Sequence, residues 1–241
     1  MGLHRQVVED LGRRIGNGDL RPGDVVEIPE LEGRYGASRT AVREALKVLT
    51  EKGLLEARPH FGTYVRPRTE WNVLDADVLV WQGDPATNLP LLRRLDEVRR
   101  IVEPQGARLA AERRLPADLR AMKKALQELE RAKQAADVAA ADLHFHRAVL
   151  AATHNELLER LGVVLQPALR LRDLVAFPWE HTDPASIELH RAVLVAVEGQ
   201  RPKRAEQRMR DLLRKAARDA ERAARRRSAR PRSPAGGGEA W

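Results

Sequence analysis

The sequence contains no cysteine among its 241 residues. This absence excludes disulfide bonds, thiolate zinc sites and cysteine nucleophiles, and it is typical of a protein from a reducing compartment. The sequence also lacks any run near the roughly 18 apolar residues that a membrane-spanning helix needs, and its N-terminal segment is charged throughout. We therefore expect a cytoplasmic protein that has no membrane partner.

Basic residues are concentrated in one part of the chain. The formal net charge is +8, but residues 201–233 contain 14 Lys and Arg against 4 Asp and Glu, whereas the first 68 residues contain 12 against 10. The net charge is therefore a weak argument for nucleic-acid binding, and the function has to be argued from motifs.

The first 67 residues have the pattern of a winged helix-turn-helix domain. Ser38 is a typical helix N-cap, and the apolar stripe that follows it ends at Gly53. Two earlier helical segments precede this helix, and two short apolar segments around a turn follow it. The predicted elements are helices 4–16 and 29–35, a helix between Ser38 and Gly53, and strands 54–57 and 63–65.

The helix after Ser38 has the residue types that insertion into a DNA groove requires. Arg39 and Arg43 are four residues apart, so they share one face and can reach guanine edges with paired hydrogen bonds. The alternative interpretation is an ordinary solvated helix face. The turn that ends at Gly62 would form the wing, where glycine permits close approach to the duplex. The predicted DNA-binding residues are Ser38, Arg39, Thr40, Arg43, His60 and Gly62.

The rest of the chain is predicted to be helical. Residues 68–89 form a predicted structured linker, and every periodic segment from residue 90 to residue 224 has helical spacing. Residues 225–241 are rich in Arg, then in Pro and Gly, and are predicted to be disordered. The predicted fold class is mainly α: a winged helix-turn-helix followed by an all-α bundle.

Several motifs resemble the GntR superfamily of bacterial regulators. They are Arg21-Pro22-Gly23-Asp24, the segment from Gly36 to Leu46, and Gly62-Thr63-Tyr64-Val65. The resemblance implies a homodimer that binds palindromic operator DNA through Ser38, Arg39, Thr40, Arg43 and the wing. Pro29 stands where many members have an arginine that contacts DNA, so the operator sequence of relatives cannot be transferred to this chain.

The helical half resembles the FadR branch of that superfamily, whose effector domain is called FCD. The resemblance lies in residues 97–104 and 110–113, and in residues 141–150 with Asn155. It implies a bundle of six or seven helices that binds a small organic acid. Residues 68–81 are similar to the same segment of sugar-acid operon repressors in this branch, which implies a repressor whose inducer is a hexonate such as galactonate.

A possible metal site lies on the helical half. Asp142 and His146 are four residues apart and face one side of a helix, and a carboxylate beside an imidazole suits a divalent ion such as Zn, Ni or Mn. His190 is the third predicted ligand. Alternatively, the pair on one helix simply bonds to itself. The resemblance implies a fourth ligand, another histidine, at the position of Leu212, so three candidate metal ligands remain in this chain. His144 lies on the same helix but points away from Asp142 and His146.

Arg99 is the predicted effector-binding residue. A guanidinium within a largely apolar helix needs a partner, because burying it alone is costly. Glu103, four residues later, is one possible partner, whereas the resemblance makes Arg99 the clamp for a carboxylate of the acid. Trp179, Thr182 and Ser186 are predicted to bind the hydroxyl groups of the acid.

The sequence favours a ligand-controlled DNA-binding regulator that is not an enzyme. A metal-sensing regulator is one alternative. The other is a metal-dependent enzyme in which Asp142, His146 and His190 activate water. No general base or phosphate-binding loop accompanies those residues, and a DNA-binding domain precedes them.

Overall fold

The computed structural model describes residues 2–58, 61–82, 89–176 and 183–228. The predictions for His60 and Trp179 therefore lie outside the described residues. The chain divides into two compact units: residues up to Leu95 with Arg160–Leu171, and Asp96–Glu159 with the residues from Arg172 onward. The predicted class, mainly α with a winged helix-turn-helix and an all-α part, is confirmed.

The first unit begins with three helices and a small sheet. Its three strands are Val25–Val26 (β1), Leu55–Arg58 (β2) and Gly62–Val65 (β3). They pair antiparallel in the order β1-β3-β2, and Val25 lies opposite Tyr64. A left-handed glycine, Gly18, ends the first helix, as the sequence predicts for a glycine C-cap. In chain order the elements are α1 (Leu3–Asn17), β1 (Val25–Val26), α2 (Ile28–Tyr35), α3 (Arg39–Glu51), β2 (Leu55–Arg58), β3 (Gly62–Val65), a 3-10 turn (Arg68–Glu70) and α4 (Ala76–Trp81).

The segment predicted as a linker packs onto the winged-helix core. Trp71, Val78 and Trp81 are buried in the same apolar cluster as the three helices. The Trp81 indole Nε1 also donates a hydrogen bond of 2.9 Å to Glu9 of α1. The residues that α1, α2 and α3 contribute to this core are Val7, Val8, Leu11, Ile15, Leu31, Val42, Ala45, Leu46 and Leu49. Residues 68–82 are thus a structural part of this unit.

The remaining helices are 15–27 residues long, and each has both buried and exposed residues. Their bounds are α5 (Leu89–Arg113), α6 (Pro116–Arg131), α7 (Ala135–Ala151), α8 (Glu156–Ala176), α9 (Pro184–Glu198) and α10 (Pro202–Ser228). The helix α6 packs against α7 and α9, and α9 packs against α10. No helix in these described ranges has the length and apolar content to cross a lipid bilayer.

The basic helix α10 has one apolar side. Ala205, Met209, Leu212 and Leu213 are buried in the core of the second unit, as the sequence predicts. Its charged residues form ion pairs within the helix, such as Arg210 with Glu206. The helix continues to Ser228, past residue 225, where the disordered tail was predicted to begin, so that boundary is wrong for residues 225–228.

Candidate functional site

The N-terminus of α3 is fixed by its cap and by its buried face. The Ser38 side chain accepts a hydrogen bond of 3.3 Å from the Ala41 amide, which satisfies one of the free N–H groups of the first turn. The buried stripe of α3 faces the core. Arg39, Thr40 and Arg43 are therefore exposed on the opposite side. Within the described part of the chain, neither arginine forms an ion pair.

The wing is the hairpin of β2 and β3. Gly62 has φ of +101°, in the left-handed region that favours glycine, and Arg58 pairs with it across the hairpin. The side chain of Phe61 is 73% exposed at the tip. The sequence does not predict this exposure, because the type of an apolar residue does not indicate whether its side chain is buried.

The predicted metal ligands lie together in the second unit. Asp142 and His146 of α7 and His190 of α9 are all buried, and each offers one donor atom within 4.8 Å of the others. His190 Nε2 lies 3.1 Å from Asp142 Oδ1, and His146 Nε2 lies 3.6 Å from Asp142 Oδ2. The structure therefore brings together the three residues that the sequence singled out. His144, on the same helix, is 52% exposed and contacts Glu128, so it lies apart from this cluster.

Both histidines of the cluster use the other ring nitrogen for a second contact. His190 Nδ1 lies 2.8 Å from the Ser186 carbonyl oxygen, which can only accept a hydrogen bond, so this nitrogen carries the proton. His146 Nδ1 lies 2.6 Å from Glu103 Oε2. The Ser186 acceptor leaves the lone pair of His190 Nε2 facing Asp142, as in many metal-binding histidines.

The cluster contains two buried carboxylates that remain charged. Burial alone would raise the pKa of Glu103, but the positive charge of Arg99 and the contact with His146 outweigh it and lower this pKa to about 2. Burial would likewise raise the pKa of Asp142, and its interactions with His146 and His190 instead hold it well below its ordinary range. The cluster therefore presents negative charge to any cation within it.

The donor set fits a divalent ion. His190 Nε2 is buried and has no hydrogen bond of good angular geometry with a described residue, although Asp142 lies close to it. A lone pair facing a carboxylate is repelled unless a cation or a proton lies between them. Two imidazoles and one carboxylate are also a common ligand set for zinc and related ions. Leu212, which replaces the fourth ligand, lies in the apolar core.

Arg99 is buried beside this cluster. Its side chain is 2% exposed, and its Nε donates a hydrogen bond of 2.5 Å to Glu103 Oε1. Glu103, the alternative partner that the sequence indicates for Arg99, therefore pairs with it in the structure. Of the predicted hydroxyl-binding residues, Ser186 is half-buried in the first turn of α9, while Trp179 and Thr182 lie outside the described residues.

Comparisons with known proteins decide the family. Residues 3–65 match the bacterial regulatory proteins of the gntR family, and residues 95–215 match the FCD domain. The chain belongs to the GntR family. It is therefore a DNA-binding transcriptional regulator with an FCD domain, and the proteins that it resembles are regulators rather than enzymes.

Individual relatives agree with this GntR assignment. The chain is 33% identical to the galactonate operon transcriptional repressor of Escherichia coli over 84% of this chain and 90% of that protein. It is 37% identical to the transcriptional regulator LutR of Bacillus subtilis over 61% of this chain and 66% of that protein. The solved structure of Lar of Listeria monocytogenes shares the fold, with a TM-score of 0.63, 18% identity and coverage of 92% of this chain and 98% of that one.

Proposed function

We propose that this GntR regulator is a repressor that binds a palindromic operator as a homodimer and releases it when a small sugar acid binds. The observation that supports DNA reading is the exposure of Arg39 and Arg43 on α3, opposite its buried stripe. The similarity to the galactonate operon repressor supports a hexonate such as galactonate as the inducer.

The proposed DNA contacts follow from the chemistry of each side chain. Arg39 and Arg43 donate paired hydrogen bonds to guanine edges in the major groove. The exposed N-terminus of α3 attracts phosphate, because its free N–H groups and helix dipole favour negative charge. Ser38 and Thr40 stand at that end, and the wing residues His60 and Gly62 approach the backbone of the duplex.

The proposed acid site is centred on Arg99, with Trp179 and Ser186 as further contacts. A guanidinium has five N–H donors, so its pairing with Glu103 is compatible with binding a second carboxylate. Burial strengthens this interaction, because little water competes for the charges. Binding of the acid shifts the helical part toward a conformation in which the two recognition helices no longer fit their half-sites.

The proposed metal ligands are Asp142, His146 and His190, and the ion is Zn, Ni or Mn. A bound ion would supply positive charge and, with three protein ligands, an open coordination position. The Ser186 carbonyl already orients the His190 imidazole through Nδ1, and Glu103 Oε2 lies 2.6 Å from Nδ1 of His146.

A binding assay with purified full-length protein tests the proposal. The operator is first selected from random DNA, and its binding is followed by fluorescence anisotropy at fixed ionic strength with increasing galactonate. We expect galactonate to release the operator, whereas a sugar without a carboxylate has no effect. Retention of the operator in the presence of every hexonate tested would refute the proposed inducer.

A pair of variants on α5 tests the role of Arg99. Arg99→Lys keeps the positive charge but loses the planar guanidinium that can bind a carboxylate through two hydrogen bonds. The galactonate concentration that releases half of the operator should therefore rise about tenfold or more. Arg108→Lys is the matched control, because Arg108 forms the same i,i+4 pair with Glu112 on the exposed side of the helix. The control should respond to galactonate as the unmodified protein does.

A metal-sensing regulator is the second proposal, and the buried Asp142, His146 and His190 cluster favours it. It predicts that Zn²⁺, Ni²⁺ or Mn²⁺ alone changes operator affinity in protein stripped by a chelator. An operator affinity that is the same with and without the ion would exclude it and leave the ion a structural role.

A further inference from the structure

The wing presents an aromatic side chain to solvent. Phe61, which directly precedes Gly62 in the hairpin turn, is 73% exposed. A side chain this exposed contributes little to the stability of the fold, because its apolar surface stays in contact with water. Single exposed apolar residues are common on protein surfaces, so exposure by itself assigns no role. What distinguishes Phe61 is the fixed turn that carries it and its position beside α3.

The backbone at Phe61 is fixed by two hydrogen bonds and a glycine. The Phe61 N–H donates a hydrogen bond of 3.1 Å to the Arg58 carbonyl oxygen, which closes the turn. The Tyr64 hydroxyl donates a hydrogen bond of 2.5 Å to the Phe61 carbonyl oxygen. Gly62 follows with φ of +101°, which residues with a Cβ atom rarely adopt. The ring is therefore presented on an ordered backbone, and little conformational entropy is lost when it binds a partner.

The wing lies beside the helix that is proposed to enter the major groove. Strand β2 follows α3 closely in the chain and packs against it. The groove adjacent to a major groove is the minor groove, which is about 6 Å wide and admits a single side chain but not a helix. Arg58, at the end of β2, places an exposed cation next to Phe61, and its exposed pair with Glu56 is weak enough to yield to phosphate.

We propose that Phe61 is an apolar wedge that enters the minor groove beside the half-site and unstacks one base step there, an inference that rests on the proposed DNA contacts of α3. Apolar side chains inserted between base steps kink a duplex toward the major groove. Unstacking is easiest at flexible pyrimidine–purine steps such as TA and CA. The Phe61 ring has no hydrogen-bonding group, so it selects the operator through the deformability of this step.

Operator selection from random DNA with the full-length protein tests this role. The unmodified protein should select a TA or CA step at a fixed distance outside the bases that α3 contacts. Phe61→Ala should select the same α3 bases but lose the preference at that step, whereas Phe61→Leu keeps an apolar wedge and should keep the preference. Leu74→Ala is the matched control, because Leu74 is a 57% exposed residue of the first unit that lies outside α3 and the wing.

A cycle of two proteins and two duplexes then measures the coupling between Phe61 and the flexible step. Replacing that step by a stiff AA step should weaken binding of the unmodified protein about tenfold. Phe61→Ala should bind both duplexes alike, about tenfold more weakly than the unmodified protein binds its operator. Energy transfer between dyes at the two ends of the operator reports its bend, which should be smaller by about 20° or more with Phe61→Ala.

Selection with the unmodified protein needs no variant, so operators without a flexible step overturn the proposal directly. A Phe61→Ala protein that selects and bends the same operator also overturns it, as does an equal effect of the AA step on both proteins. A smaller particle mass for Phe61→Ala in light scattering would assign the ring to a contact between two copies of the chain, and the wedge would again be wrong. If Arg43→Ala leaves the selected α3 bases unchanged, the proposed DNA contacts of α3 are refuted instead.

Discussion

Arg39 and Arg43 are exposed because the residues on the other side of α3 are buried in the core. Val42, Ala45 and Leu49 are buried, and this periodicity leaves both guanidiniums facing away from the core. Neither is paired with a carboxylate in the described ranges, so binding to DNA requires no ion pair to be broken there. At this scale we propose that the specificity of the regulator depends on these two side chains, which are one helical turn apart.

Replacing Arg39 or Arg43 by alanine should weaken operator binding about tenfold or more, because each paired contact to a guanine contributes about 1–3 kcal/mol. Binding to unrelated DNA should fall much less, since that binding depends on phosphate attraction. Anisotropy titrations with the selected operator and with a scrambled duplex of equal length measure both effects.

Arg13→Ala is the control for charge alone. Arg13 is an exposed residue of α1 near Glu9, and its replacement removes the same unit of charge from the same unit of the protein. We expect this variant to discriminate operator from scrambled DNA as the unmodified protein does. If Arg13→Ala and Arg43→Ala lowered the affinity for the operator equally, direct readout of DNA bases by α3 would be contradicted.

The candidate site was only partly predictable at the level of residues. Asp142 and His146 are one helical turn apart, so their shared direction follows from helix geometry alone. The contact between His146 and Glu103 joins residues of α7 and α5, and the sequence offers no pattern that specifies which side chains meet when those helices pack. Arg99 and Glu103 are one turn apart on α5, so helix geometry permits their pairing but does not decide between Glu103 and a bound acid as the partner of Arg99.

At the scale of elements, α1 and α4 approach closely because α1 has glycine where they meet. A Cβ atom added to Gly16 would lie 1.9 Å from the Trp81 carbonyl oxygen, and one added to Gly12 would lie 2.5 Å from the Trp81 ring. Side chains at these positions would separate the helices. The packing of residues 68–82 against α1 therefore requires glycine at both of these positions.

Gly16→Ala should lower the free energy of unfolding of the first unit by about 2–3 kcal/mol, because overpacked sites force the backbone apart. Gly33→Ala is the matched control, since nothing lies within 4 Å of a Cβ atom at this position of α2. The control should be neutral or stabilising by about 0.5–1 kcal/mol. Urea unfolding followed by tryptophan fluorescence measures both, and equal stability of the two variants would contradict the close packing.

The helix α4 is also anchored by charge. Asp75 caps its N-terminus and accepts hydrogen bonds of 2.8 and 2.9 Å from Lys52, at the end of α3. Burial alone would raise the pKa of Asp75, but the hydrogen bonds from Lys52 and the α4 amides lower it below its ordinary 3.8. A lowered pKa means that the charged form stabilises the fold above about pH 4, and that this contribution is lost as the pH falls further.

Asp75→Asn should therefore destabilise the protein by about 1 kcal/mol at pH 7, because asparagine still caps the helix but loses the ion pair. The difference from the unmodified protein should shrink below about pH 4, in thermal unfolding at several pH values. Asp77→Asn removes a more exposed partner of the same lysine, so it should lower the free energy of unfolding by a smaller amount. If Asp75→Asn destabilised the protein by the same amount at low pH as at pH 7, the stabilisation by Asp75 would not be due to its ion pair.

The elements differ in how far the sequence predicts them. The helix α3 has a capping serine and a buried stripe, so its start and direction follow from local signals. The strand β1 has two residues, too few for an alternating pattern, and it forms only because β3 supplies hydrogen-bonding partners. The helix α4 is six residues long and is stabilised by Trp81 and Lys52 contacts, which are tertiary.

At the scale of the whole molecule, the residues proposed to read DNA and those proposed to bind ligands belong to different units. The exposed arginines of α3 lie in the first unit, and the cluster of Arg99, Glu103 and the metal triad lies in the second. A ligand changes operator affinity only if it binds one conformation of the whole chain better than another. In a dimer, this requirement can be met by a change in the distance between the two recognition helices.

A dimer that reads a palindrome is sensitive to the spacing of its half-sites. Inserting about five base pairs, half a turn of DNA, between the half-sites places them on opposite faces of the duplex. We expect affinity to fall on the order of 100-fold, while an insertion of a full turn is tolerated better. Light scattering should give a particle of about twice the 27.1 kDa chain mass, both free and on the operator after subtraction of the DNA. Full affinity for a single half-site, with one chain bound, would show that spacing is irrelevant and that the acid must act on each DNA-binding unit alone.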